Sequence, residues 1–206
     1  MALDIKGCGT ALVTPFAKDG TLDVEALRRL VQFQLSEGID FLVQLSGGID
    51  KPQNWEDLTQ ESWDKDFAVN LLGPFFAAQE AIKHMKQSGG KIILTSTASA
   101  SHGGGKTSLA YGVAKSGIEC LTKGLAKDCA QYKILVNALA PGFIMSKAHI
   151  ESFKRTPEDL AKRAQMVPLK RAGTPQDVAS MVMYLLSPHG NFVTGQILAI
   201  SGGDFI

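Results

Sequence analysis

GGKIILTSTASASHGGGKTSLAYGVAKSG, residues 89–117, is the stretch that decides the fold. KIILT is an apolar, β-branched run of strand length. A loop rich in hydroxyls and glycine ends it. From about Ser108 the apolar spacing turns helical and continues to Ala130. Strand, loop and long helix in this order make a parallel β–α unit.

The same alternation extends outward in both directions. TALVTPF (10–16) reads as a buried strand ended by Pro15. Asp23 can cap a helix whose positions Leu27, Leu30, Val31 and Leu35 share one face, with Gly38 as its stop. FLVQLSG (41–47) is the next strand. Thr59 begins a long helix through His84, and Gly73-Pro74 inside it predicts a kink or break. Downstream, ILVNALA (134–140) and QILAISG (196–202) are strands. Thr174-Pro175, with Asp177 completing a capping box, opens another helix.

The expectation is one α/β domain over residues 1–206, Rossmann-like, with a mostly parallel sheet of about five strands. Right-handed crossovers in one direction put the first helices on one face of the sheet. A parallel sheet is buried on both faces, so residues 142–188 or a second subunit must cover the other.

Composition narrows the function classes. The chain has 206 residues, 45% hydrophobic and 20% charged, with a formal net charge of +1. That charge gives no electrostatic footprint for nucleic acid or an anionic membrane. No apolar run has spanning length, and MALDIKGCGT is not a signal peptide, so a cytoplasmic setting is expected. Cys8, Cys120 and Cys129 lack metal-ligand spacing and read as reduced, small buried hydrophobes. His84, His102, His149 and His189 are too scattered for a metal site.

Tyr111 and Lys115 stand four apart on the helix of the opening stretch, so their side chains share a face. A neighbouring ammonium favours a phenolate, which suits a tyrosine to acid–base work. Such a pair also occurs as surface decoration. The residues around it sharpen the reading: Asn70 in FAVNLLG, Thr97 and Ser99 in TSTASAS, then NALAPGFIMS and TGQILAISGG.

From about residue 38 on, these elements in this order resemble the second half of a short-chain dehydrogenase/reductase. The resemblance implies Tyr111 as general acid/base, and Lys115 as the group that lowers its pKa and holds ribose hydroxyls of NAD or NADP. Asn70 would anchor a relay water. Thr97 would take the place of the family's carbonyl-polarising serine, with Ser99 as the alternative. Gly47 and Gly48 resemble the glycine turn that flanks adenine, although QLSGG departs from the usual Asn-Asn-Ala-Gly. Pro141, Gly142, Ile144 and Ser146 would line the nicotinamide end. The resemblance also implies a homo-oligomer paired through the Tyr111 helix and the helix before it.

Residues 6–43, KGCGTALVTPFAKDGTLDVEALRRLVQFQLSEGIDFLV, resemble instead the start of a dihydrodipicolinate synthase-type aldolase, a TIM barrel. No G-x-x-x-G-x-G or G-x-G-x-x-G turn stands before Tyr111, and this is where the pyrophosphate of a dinucleotide would meet a helix N-terminus. Gly103-Gly104-Gly105-Lys106-Thr107 resembles a phosphate loop, but Ala100 breaks that motif. On these grounds the sequence predicts a chimeric, recombined scaffold with feeble cofactor binding and no efficient catalysis. The alternative is an NAD(P)-dependent oxidoreductase acting on a hydroxyl or carbonyl group.

Overall fold

A computed structural model describes residues 8–11, 15–19, 21–36, 39–146 and 155–204. The sheet has five strands in the order β1-β2-β3-β4-β5. They are Cys8–Ala11, Ile39–Val43, Gly90–Thr95, Ile134–Pro141 and Ile197–Ile200. Every neighbouring pair is parallel. Residues 12–14, which end the first expected strand, and Gly38, its helix stop, lie outside the described residues, as does His149.

One face of the sheet is covered by helix α1 (Val24–Ser36), α3 (Gly73–Met85) and α4 (Leu109–Cys129). Leu27 and Val31 of α1, Ala77, Ala81 and Met85 of α3, and Ile118 and Ala126 of α4 pack on Leu42, Ile92, Leu94, Val136 and Ala138. The alternating residues Val43, Ile93 and Leu139 point the other way, as the strand period requires. They meet Val178, Met181, Val182 and Leu185 of α6 (Pro175–Leu186). So residues 142–188 do supply the second cover. That segment also carries α5 (Pro157–Met166), whose capping box of Thr156 and Asp159 the sequence reading passed over.

Lys91 of β3 ties α6 down. Its ammonium donates to the carbonyls of Leu185, Leu186 and Ser187 at 3.0, 3.1 and 2.7 Å. These are among the carbonyls that a helix C-terminus leaves without intrahelical partners. The other expected caps form as well. Asp23 Oδ1 accepts from the N–H of Ala26 at 2.8 Å, and Thr59 accepts from Ser62 N–H. Thr174 and Asp177 make the reciprocal box.

The long helix begun at Thr59 breaks where expected. Helix α2 (Gln60–Phe67) passes into one π-helical turn, Ala68–Leu72, before α3 begins with Pro74 in its first turn. Proline lacks an N–H and crowds the preceding turn, so the chain widens there. The widened turn contains Asn70.

Two sequence expectations need correction at this level. Strand β1 pairs with β2 as part of the same open sheet, so the first β–α unit does not build part of a barrel. A buried strand followed by an amphipathic helix is common to every parallel β–α fold, and this generic pattern carried the aldolase resemblance. Cys129 is buried as expected, but Cys120 is exposed. The side chain of Cys8 is outside what is described.

Candidate active site

The carboxyl ends of β2, β3 and β4 and the first turns of α4 enclose a pocket of about 190 Å³. Its walls are Leu45, Gly47, Thr95, Ser96, Thr97, Tyr111, Lys115, Pro141, Gly142, Ile144 and Ser146. Open parallel sheets bind ligands at this end of their strands. Eight of the eleven expected site residues line this pocket, namely Gly47, Thr97, Tyr111, Lys115, Pro141, Gly142, Ile144 and Ser146, while Gly48, Asn70 and Ser99 are not part of its lining.

Lys115 is 1% exposed. Its ammonium donates to Thr95 O at 2.8 Å and to Ser46 O at 3.4 Å. Burial pushes its pKa down to about 8. The helix that carries it is fixed to the end of β3 by Ser96, whose hydroxyl donates to Lys115 O at 3.1 Å and to Glu119 Oε1 at 2.9 Å.

Lys115 Nζ lies 5.9 Å from the centre of the Tyr111 ring. Burial pushes the Tyr111 hydroxyl above its ordinary range, the Thr97 side chain pulls it down by a hydrogen bond, and the charge of Asp66 raises it again. The expected lowering by Lys115 is not what shapes this tyrosine. The lysine turns instead to two backbone carbonyls. Thr97 is thus the hydroxyl that faces Tyr111. Ser99 is one step back, its hydroxyl 3.2 Å from that of Thr97 and its N–H 3.4 Å from the same oxygen.

Asn70 is fully buried in the π turn. Its Oδ1 accepts from Gly48 N–H at 3.0 Å, and its Nδ2 donates to Gly48 O at 2.7 Å and Asp66 O at 2.8 Å. Both amide N–H groups are engaged, and the side chain holds the glycine turn. Gln44, where the family pattern has asparagine, is buried too. Its Nε2 donates to Ser46 Oγ at 2.7 Å, and its Oε1 has no partner.

The site's fit to a nicotinamide cofactor turns on Gly47. A Cβ there would stand 2.7 Å from Lys115 Nζ and 3.0 Å from Asn70 Oδ1. Only glycine leaves the ammonium open to the pocket. With an open ammonium, two hydroxyls and a phenol around one small cavity, the donor set fits a ribose and a carboxamide-bearing ring. Among the described residues no cluster could hold a metal ion, and no helix is long and apolar enough to cross a membrane. Gly103–Lys106, which resembles a phosphate loop in sequence, is positioned by packing. It folds over α4, where a Cβ on Gly112 would meet Gly103 O at 2.6 Å.

Sequence reasoning missed Asp66, Leu45, Thr95 and Ser96. Asp66 is one helical turn before Asn70 and 3% exposed, and that spacing was the available signal.

Comparison with known proteins agrees with this arrangement. The profile of a family described as enoyl-(acyl carrier protein) reductase matches residues 19–204. Versicolorin reductase 1 of Aspergillus parasiticus is 35% identical over 98% of this chain and 79% of its own length. A 3-oxoacyl-(acyl-carrier-protein) reductase of Aquifex aeolicus is 33% identical over 84% of this chain and 68% of its own. Among solved structures, a short-chain type dehydrogenase/reductase from Mycobacterium ulcerans superposes with a TM-score of 0.81 and 27% identity, over 89% of this chain and 67% of that one. One from Serratia marcescens gives 0.80 and 31%, over 89% and 74%.

These matches overturn the aldolase and chimera readings. The profile begins at residue 19 and the versicolorin reductase aligns across 98% of the chain, so the leading segment falls within one family's alignment. The expectation of a recombined scaffold without efficient catalysis falls with them, and the short-chain dehydrogenase resemblance extends to the whole chain. The chain belongs to the short-chain dehydrogenase/reductase family.

Proposed function

We propose that the protein is an NAD(P)-dependent oxidoreductase that interconverts a carbonyl and a hydroxyl group. The observation that carries this reading is the convergence of Thr97, Tyr111 and Lys115 on one pocket floored by Gly47. The curated relatives named above are both reductases, which supports the carbonyl-to-hydroxyl direction.

Lys115 and the residues lining its pocket would hold the nicotinamide cofactor, which would supply or take the hydride when bound. The chain's own residues do the rest. Tyr111 gives its proton to the carbonyl oxygen as that oxygen gains charge. Thr97 donates a hydrogen bond to the same oxygen. Lys115 holds ribose hydroxyls and offers positive charge near Tyr111, in a site where burial strengthens both interactions. Asn70 is a positioning residue: it fixes Gly48, and through it the floor at Gly47. Pro141, Gly142, Ile144 and Ser146 shape the side of the pocket away from α4.

The test is a panel of ketones and aldehydes assayed with reduced NAD and reduced NADP, following loss of the reduced-nicotinamide absorbance. Wild-type protein should turn over at least one carbonyl, and Tyr111→Phe should lower kcat about 10²- to 10⁴-fold, the usual weight of a general acid. Equal rates for the two proteins would exclude Tyr111 from the chemistry.

A further inference from the structure

Beyond Pro141 the chain leaves β4 but keeps a strand's alternation. Gly142, Ile144 and Ser146 line the catalytic pocket, whereas Phe143 and Met145 belong to the opposite side. There they meet Leu160, Ala164, Val167 and Ala172 in a small core, apart from the two that cover the sheet. The backbone of this pocket wall is fastened on both sides. Gly142 N–H donates to Ile200 O at 3.0 Å, Met145 N–H donates to Gly173 O at 2.8 Å, and Phe143 O accepts from Gly173 N–H at 2.9 Å. Close-packed interiors transmit strain, so a shift of Phe143 moves Ile144, its neighbour on the pocket side.

One cation reaches the back of this wall. Arg163, on α5, sets its guanidinium 5.2 Å from the centre of the Phe143 ring. The same guanidinium pairs with the carboxylate of Asp204, and the two side chains are 22% and 11% exposed. A planar, delocalised cation can stack on a ring and bind a carboxylate at its edge at the same time. A pair this sheltered is screened less than one in open solvent.

The turn after β5 brings Asp204 there. Gly202 and Gly203 both have positive φ, 65° and 86°, a conformation that glycine adopts without steric cost. Asp204 N–H closes the turn on Ser201 O at 3.2 Å, and Gly202 O accepts from Leu169 N–H at 3.2 Å. Ser201 packs on the wall, since a Cβ on Gly142 would stand 2.8 Å from Ser201 Cα. Residues 201–204 thus touch the wall twice, at Gly142 by packing and at Phe143 through Arg163. Neither Arg163 nor Asp204 lines the pocket.

We infer that Arg163 and Asp204 are positioning residues: acting through Phe143, they hold Ile144 and Ser146 in place and so set how a carbonyl substrate seats in the pocket. The inference rests on the oxidoreductase reading above. Neither side chain reaches the reacting atoms, so their loss belongs to KM rather than to kcat.

Asp204→Asn tests it, because the amide keeps the carboxylate's shape and loses its charge. The assay uses the full chain and whichever ketone or aldehyde of the panel the wild-type protein reduces fastest. KM for that carbonyl should rise about tenfold, with kcat within about twofold of wild type. Hydrogen–deuterium exchange without substrate or cofactor is the second readout. Exchange should quicken about tenfold across Pro157–Met166 and residues 143–146 and stay unchanged in β3 and β4, which shows that the variant is folded. Arg163→Met should do the same, and the double variant should be no worse than either single one, as for two groups serving one interaction. A KM or an exchange profile equal to wild type, a loss confined to kcat, or additive effects in the double variant would overturn this inference and leave the oxidoreductase reading standing. If the wild-type chain reduces no carbonyl, both fall.

Discussion

The side chain of Asn70 makes both backbone hydrogen bonds of Gly48, accepting its N–H at 3.0 Å and donating to its carbonyl at 2.7 Å. The amide thus acts on the glycine turn as a neighbouring strand would. Asn70→Ala should leave both Gly48 groups and Asp66 O without these partners. The expected loss is about 1–3 kcal/mol of stability, together with a drop in kcat/KM that exceeds what destabilisation alone explains. Denaturant unfolding and steady-state kinetics on the same variant separate the two effects.

Gly47→Ala puts a methyl group 2.7 Å from Lys115 Nζ. The ammonium or the turn must then shift. Catalysis is sensitive to displacements of about 1 Å, so activity should fall roughly 10²-fold. The melting temperature should change little, because Gly47 is exposed and the atom displaced is the end of a long side chain. Unaltered kinetics would show that the ammonium position does not matter to the reaction.

Lys115 should weaken the fold that it serves. Its pKa is pushed down to about 8 by burial, against 10.5 for the free side chain. Between these two values the unfolded chain binds more protons than the folded one, so stability rises with pH across that window. Below about pH 8 the full penalty is present. Lys115→Met should therefore stabilise the protein at neutral pH, by up to about 3 kcal/mol, and flatten the rise in stability from pH 8 to 10.5. It should also abolish activity. Thermal melts at several pH values give the answer, and an unchanged pH profile in the variant would count against the buried-ammonium account.

The phenol of Tyr111 should titrate above the ordinary tyrosine range, chiefly because it is buried. Thr97→Val removes the hydrogen bond that opposes this and should raise it further. Asp66→Asn removes a negative charge and should lower it. Ultraviolet phenolate absorbance, with Tyr111→Phe as the subtraction for the other two tyrosines, reads the three curves.

Leu72, at the end of the π turn, and Leu109 and Val113 on α4 leave apolar side chains exposed along the helices expected to pair. Light scattering at micromolar concentration should report a dimer or larger, and Leu109→Glu with Val113→Glu should reduce it to a monomer. A monomeric wild-type protein would rule this pairing out.

Much of this was legible in local sequence. Period-2 and period-3.6 apolar patterns located the five strands and the helices on them, since each pattern matches one regular geometry. Thr59, Asp23 and Thr174 announced helix starts because a cap acts within one turn. The spacing of Tyr111 and Lys115 put them on one helical face, and the Gly73-Pro74 pair announced the break beside Asn70. The origin of residues 6–43 was misread for the same reason: a strand–helix unit looks alike in every parallel fold, and nothing local distinguishes one sheet from another. Only the tertiary structure decided where the charges face. Lys115 turns to the carbonyls of Thr95 and Ser46 because β3 and the end of β2 bring those acceptors to it. Thr97 rather than Ser99 meets Tyr111 because the backbone turns into a short helix immediately after Thr97. Asp66, buried, accepts from the backbone N–H of Asp50, sixteen residues away along the chain. Such contacts depend on which segments the sheet order makes neighbours, and sequence spacing does not carry that information.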